Sequence, residues 1–328
     1  MRLAVPLEID AASLATWRQG VPVIAMGGET MGTTWSIRLA PPPGFDREVA
    51  SRAIEARLED ILAQMSHWRA DSVLGRFNRA GAGKWFTLPA DFATVIEAAL
   101  AVAERSGGAF DPAIGALVDV WGHGPVKVDR PPTTGEIEKA RAVSGFMRLA
   151  YEPDTRRLRQ PGGLRLDLSG IAKGYAVDAL TALLAGMDCH HVLVEIGGEL
   201  VGRGLRPDGD PWWVDLETPT QDVAPLRVAL HQLAVATSGD YVRGFHSIDP
   251  RSGMPVEHAM AVSVIHSSAM HADAWATAFS VLSPAAVRTL GARECLCVRV
   301  VYRDGTGLTE WISPALAAMI EAEDEVAA

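Results

Sequence analysis

The spacing of hydrophobic positions changes repeatedly along this chain, and each change marks an element. Trp35, Ile37 and Leu39 alternate with polar residues after Gly27-Gly28, the period of two expected of a half-buried strand entered from a glycine turn. Over residues 48–65 the spacing lengthens to the helical repeat: Ile54, Leu58, Ile61, Leu62 and Met65 fall on one stripe, with charges between them. A second helix is expected over 90–106, ending at Gly107-Gly108. A Pro-rich connector (126–134), a short polar helix (134–143) and two short strands (148–152 and 157–160) follow. From Leu164 alternation passes into a helix, with Ser169-Gly170 at the junction and Lys173 in the first turn. His191 opens a buried strand that ends at Gly197-Gly198, flanked by Glu195 and Glu199. Further strands are expected at 212–217, 226–230, 261–265 and 294–302, with an Ala-rich helix over 269–282. Strands and helices interleave irregularly, which predicts an α+β fold with mixed or antiparallel sheets flanked by helices rather than a doubly wound parallel sheet. Residues 1–25 read as an N-terminal extension with a short helix near 11–18. Residues 26–315 read as one catalytic domain and 316–328 as an acidic tail.

Composition narrows the function classes. With 328 residues and 48% hydrophobic content the chain can bury a large core. Forty acidic against 30 basic side chains give a formal net charge of −10, which excludes nucleic-acid binding through general surface charge and leaves room for a local basic site. The first ten residues meet acidic positions before an apolar run develops, no Cys lies near them, and no uncharged run approaches the ~18 residues needed to cross a bilayer. A cytoplasmic protein without a membrane span is therefore expected. Cys189, Cys295 and Cys297 are an odd set suited to reduced thiols. The last two, two apart in a strand, read as small apolar residues in or near a core. No internal repeat and no glycine-rich phosphate loop is present.

The candidate chemistry centres on Asp273 and Thr277. Four residues apart in a helix, their oxygens share one face and can converge on a hard cation. On the residues alone, the plainer reading is a cap by Asp273 and a back-bond from Thr277 to a carbonyl. Lys173 early in its helix is unfavourable for the helix dipole unless a phosphate compensates it. The run 65–79 reads either as a surface loop and a helical turn or as an aromatic wall, Trp68, with three arginines for a phosphorylated ligand. Asp111, placed before a proline, fits a helix cap. His246 stands just before the turn-dense Asp249-Pro-Arg-Ser-Gly-Met-Pro, a rigid mount for a side chain.

As an ordered set, these motifs resemble the FAD:protein FMN transferases, the ApbE-like flavin transferases. The matching pieces are Glu29-Thr-Met-Gly-Thr-Thr-Trp-Ser, Met65-Ser-His-Trp-Arg-Ala-Asp-Ser, Gly108-Ala-Phe-Asp-Pro, Leu166-Asp-Leu-Ser-Gly-Ile-Ala-Lys-Gly-Tyr-Ala-Val-Asp, Glu195-Ile-Gly-Gly-Glu, Thr237-Ser-Gly-Asp-Tyr, His246-Ser-Ile-Asp-Pro-Arg-Ser-Gly and Ala272-Asp-Ala-Trp-Ala-Thr, together covering about residues 27 to 300. The resemblance implies the family's fold and a Mg²⁺-dependent transfer of FMN from FAD to a Thr or Ser hydroxyl of an acceptor protein, with release of AMP. It places FAD contacts at Met31, Trp68, Ala109, Phe110, Asp111, Asp167, Lys173 and Ile248. It places Mg²⁺ at Asp273 and Thr277, with carbonyls near Gly170 and Ala276, and gives His246 the role of general base. Trp68 stands where the family often has Tyr, and Gly170 where it more usually has Ala or Thr. The segment between Tyr241 and His246 is shorter than usual. That short segment keeps two alternatives open, an FAD pyrophosphatase in which water replaces the acceptor, and a non-catalytic FAD-binding protein.

Overall fold

The fold is that of a computed structural model, which describes residues 1–218, 220, 222–239, 247–303 and 307–320. Its centre is an eight-stranded sheet in the order Leu308–Ile312, Cys297–Arg303, Ala259–His266, Leu233–Gly239, Glu199–Arg203, Val192–Ile196, Thr33–Leu39, Ile24–Thr30. Every neighbouring pair is antiparallel. This is the α+β architecture expected, with helices against a largely antiparallel sheet.

Both faces of the sheet are covered, and single-residue alternation decides which side chain goes where. Val192, Val194, Ile196, Ala234, Ala236, Val262, Val264, Val298 and Val300 enter the main core, shared with the helices. Leu193, Val235 and Ile265 point the other way, into a second core with Trp212, Leu226, Val228 and Leu230. That second layer is a three-stranded sheet in which Arg2–Ala4 pairs in parallel with Leu226–Leu230, which pairs in turn with Trp212–Asp215. The segment expected as an extension thus supplies a strand. Ala4 is fully buried, and the next amide, Val5 N–H, donates to Met319 O at 2.8 Å.

On the main face lie the helices Arg47–Met65, Ala90–Arg105, Ala172–Ala185 and Ala269–Ser280. The first is opened by Asp46, whose side chain accepts from Glu48 and Val49 N–H, and it buries Ile54, Leu58, Ile61 and Met65. The last is buried almost all round, with Trp275 and Phe279 in the core. A fully buried side chain of that size stabilises a fold by about 1.5–3 kcal/mol. Among the described residues no helix is long and apolar enough to cross a membrane.

Several local expectations are corrected. Gly27-Gly28 is not a turn but lies inside the strand Ile24–Thr30; the chain reverses at Met31-Gly32, both with positive φ, the geometry of a tight two-residue hairpin. The strand Leu233–Gly239 escapes detection because its small and polar residues carry no alternation. The helix Pro284–Arg293, opened by Ser283 with a proline at its first position, delays the following strand to Cys297–Arg303. Cys295, with φ 52, is therefore exposed in the connection rather than near a core, while Cys297 is half-buried and Cys189 buried. The acidic run at 321–325 lies outside the described residues, as does His246.

Candidate active site

The site begins with two helices that exchange carboxylates. Ser268 caps the helix Ala269–Ser280, and Asp178, on the helix Ala172–Ala185, accepts from Ala269 N–H, Met270 N–H and Ser268 Oγ. In return, Asp273 lies within its own helix and its Oδ2 accepts from Gly174 N–H at 3.1 Å, in the first turn of the partner helix. Asp273 is therefore not the cap of its own helix; it is the buried anion at the amino end of another. The close crossing requires Gly174: a Cβ there would lie 2.2 Å from Ala269 O.

One turn after Asp273, Thr277 faces the loop that leads into the Ala172–Ala185 helix. A Cβ built on Gly170 would lie 2.6 Å from Thr277 Oγ1, so the glycine lets backbone and hydroxyl come together. Asp167 fixes this loop by accepting from Ser169 N–H at 2.8 Å, and His67 Nδ1 stands 3.9 Å from the same carboxyl oxygen. Lys173, three residues past Gly170, is not directed freely at solvent. Its Nζ is paired with Oε1 of Glu199, on the strand that follows Gly197-Gly198.

These groups form one side of a cleft of about 590 Å³. Met31, Trp68, Ala109, Phe110, Asp111, Asp167, Gly170, Lys173, Ile248, Asp273 and Thr277 all line it. Ala276 is fully buried and does not, while the proposed base His246 is outside the described residues. The apolar walls differ in character: Phe110 is buried at 3% exposure, whereas Trp68 is 64% exposed and free to meet a planar ligand. Asp111 is no helix cap. Its two oxygens accept from Ala113 N–H at 2.8 Å and Phe146 N–H at 3.0 Å, holding the Ala109-Phe110 wall, and burial pushes its carboxyl up to about 6.

The three arginines in and around the helix Val73–Asn78 are engaged by the protein itself. Arg69 pairs with Glu59 and Asp71, Arg76 donates to Asp71 O and Arg79 to Ala70 O, so they staple the loop that presents Trp68. Three acidic groups were not singled out in advance: Glu195, Glu199 and Glu217 all line the cleft. In the sequence Glu195 and Glu199 stand only as the flanks of Gly197-Gly198, with no sign that both face inward. Burial raises the carboxyl of Glu199, Lys173 opposing and Asp273 reinforcing the shift. Burial likewise raises Asp273 and, helped by Glu195, Glu217. Two buried carboxylates, Glu199 and Asp273, thus share one lysine in a polar pocket beside aromatic walls. Such a site is suited to binding a cation together with an anionic, ring-bearing ligand.

A model of the ApbE family matches residues 31–298. The FAD:protein FMN transferase of Vibrio cholerae is 34% identical over 88% of this chain and 90% of its own length. That of Haemophilus influenzae is 30% identical over 96% of both. Among solved structures, the flavin transferase ApbE from Vibrio cholerae superposes with a TM-score of 0.85 at 33% identity, covering 90% of this chain and 99% of that one. The apo flavinyl transferase ApbE of Pseudomonas stutzeri gives 0.86 at 35% identity, covering 92% and 98%.

Proposed function

Since the chain belongs to the ApbE family, we propose that it is an FAD:protein FMN transferase that moves FMN from FAD to a Thr or Ser hydroxyl of an acceptor protein. AMP leaves, and Mg²⁺ is required. The observation that carries this reading is the floor of the cleft, where Asp273 and Thr277 sit one turn apart beside Gly170 and Lys173, under walls that include Trp68 and Phe110.

The donor set fits Mg²⁺. Asp273 and Thr277 offer hard oxygens, with the carbonyl of Gly170 as a further ligand implied by the resemblance; Ala276 stands off the cleft. Glu199 Oε2, buried on the cleft without a partner, shows that the pocket holds acceptor capacity its own side chains leave unused. Among the described residues no three His, Cys, Asp or Glu gather into a cage. A sparse oxygen set is what an ion that keeps waters and substrate phosphates needs. Bound there, Mg²⁺ supplies charge neutralisation on the pyrophosphate oxygens.

The chain's own groups do the rest. Lys173 brings a point charge to the phosphate region from the first turn of its helix. Met31, Trp68, Phe110 and Ile248 offer apolar faces to the rings of FAD, while Asp111 holds the turn beside Phe110 and Asp167 the loop of Gly170. The acceptor oxygen bonds to the flavin-side phosphorus as the bond from that phosphorus to the bridging oxygen breaks. AMP carries the bridging oxygen away, and the hydroxyl proton passes to His246.

The test is to incubate the protein with FAD, Mg²⁺ and an acceptor protein carrying the target Thr or Ser, then read covalent flavin by mass and AMP by chromatography. One AMP per labelled acceptor is expected. FMN released with no labelled acceptor means hydrolysis, and FAD bound with neither product means a binding protein; either overturns the transferase reading.

A further inference from the structure

Glu199 has more acceptor capacity than the protein around it uses. Its carboxyl is 2% exposed and lines the cleft. Oε1 receives Lys173 Nζ, but Oε2 is buried with no hydrogen-bond partner. A carboxylate oxygen withdrawn from water and left without a donor is costly, and such orphans are rare in cores.

The neighbours deepen the deficit. Asp273, equally buried, interacts electrostatically with the same lysine and with Glu199, so one lysine answers two acidic side chains, and burial raises both of them. The phosphates of FAD cannot relieve this, because they too are anionic acceptors. What is missing is a positive charge or a strongly polarised donor. A divalent cation with its coordinated water is both.

We infer that Glu199 is a second carboxylate of the cation site: Oε2 faces the ion through one of its waters while Oε1 holds Lys173 at the phosphate region. One residue then couples the ion to the lysine, so the two positive charges are set against the pyrophosphate together. The inference rests on the cation reading proposed above and adds a residue to it.

The experiment titrates Mn²⁺ into the metal-free full-length protein without FAD and follows free Mn²⁺ by electron paramagnetic resonance. The wild type should bind one ion. E199Q, which keeps the shape and removes the charge, should weaken Kd at least tenfold, and E199D should weaken it less. D273N should remove binding. Unchanged affinity in E199Q together with loss in D273N overturns the role of Glu199 alone. Unchanged affinity in D273N, or no binding by the wild type, overturns the cation reading and this inference with it. Should E199Q fail to fold, E199D decides: a weakening of threefold or more supports the inference, and wild-type affinity refutes it.

Discussion

Replacing Asp273 with Asn separates what this residue does for the fold from what it does for the reaction. The side chain is 2% exposed, and taking a carboxylate out of water costs several kcal/mol even after relaxation. Three contacts offset the cost: the Gly174 N–H at 3.1 Å, the amino end of the Ala172–Ala185 helix, and a lysine already engaged by Glu199. A charged hydrogen bond contributes about 1.5–3 kcal/mol and a helix terminus at most about 2. These contributions do not fully offset the burial, which is why burial raises this carboxyl. Asn keeps an acceptor for Gly174 and removes the charge. The metal-free D273N protein should therefore melt a few degrees above the wild type, at roughly 2–4 °C per kcal/mol for a large domain. The pH dependence has a definite sign. A carboxyl whose folded pKa is raised contributes stability below its unfolded value near 4, and that contribution is lost as pH rises through the folded value. The advantage of D273N must therefore grow from acid to neutral pH. The assay is thermal unfolding in EDTA at pH 5 and pH 7.5, repeated with excess Mg²⁺, beside a measurement of covalent flavin. Mg²⁺ should raise the melting point of the wild type and leave the variant unmoved, and the variant should transfer no flavin. A variant that melts below the wild type in EDTA refutes the uncompensated charge, and one that still transfers flavin refutes the cation anchor.

Three further outcomes follow from the geometry. W68A should leave the melting point unchanged, because the ring is 64% exposed, and weaken FAD binding about tenfold, the loss of one stacking contact worth about 1–1.5 kcal/mol, measured by fluorescence titration. Asp111, pushed by burial up to about 6, above the ordinary carboxyl range, stabilises the fold in its protonated form. Its contribution, up to about 3 kcal/mol, is present below pH ~4 and is lost as pH rises past 6. The difference in unfolding free energy between wild type and D111N, from urea titrations at pH 4.5 and 7.5, should therefore shrink with pH; a constant difference refutes the assignment. H246A should cut flavin transfer by at least a hundredfold with FAD affinity retained; loss of FAD binding instead would contradict its role as base.

The parts of the fold that were legible in the sequence are those whose side chains repeat. The helix Arg47–Met65 is written in Ile54, Leu58 and Ile61, and the strand Thr33–Leu39 in Trp35, Ile37 and Leu39, because burial on one side enforces a period. The strand Leu233–Gly239 was not legible. It runs through the middle of a sheet covered on both faces, where small residues suffice and the pattern disappears. The same division holds at the site. Asp273 and Thr277 were visible because the helical repeat fixes their spacing, and Gly170 and Asp167 because they stand in an unusual string of residues. Glu199 was not, since an acidic residue opening a strand after Gly197-Gly198 gives no sign that its carboxyl turns inward. Nor was the pairing of Lys173, because Glu199 lies 26 positions further along the chain and only tertiary structure closes that distance. Arg69, Arg76 and Arg79 show the converse: a basic cluster that composition offers to a ligand is spent on nearby backbone carbonyls and on Glu59 and Asp71.

The exchange of carboxylates between the helices Ala172–Ala185 and Ala269–Ser280 also orders events in time. Asp178 meets its partners 90 to 92 residues along the chain, and Asp273 meets Gly174 across 99. Contacts closed over such distances form after local ones, because the loop between them must be gathered first. A nascent chain that has made only the first helix has the loop of Gly170 and the amine of Lys173, but no carboxylate to set against them. The site's two helices and their exchanged carboxylates therefore come together only in the finished molecule, after the strands that lie between these helices in sequence have been laid down.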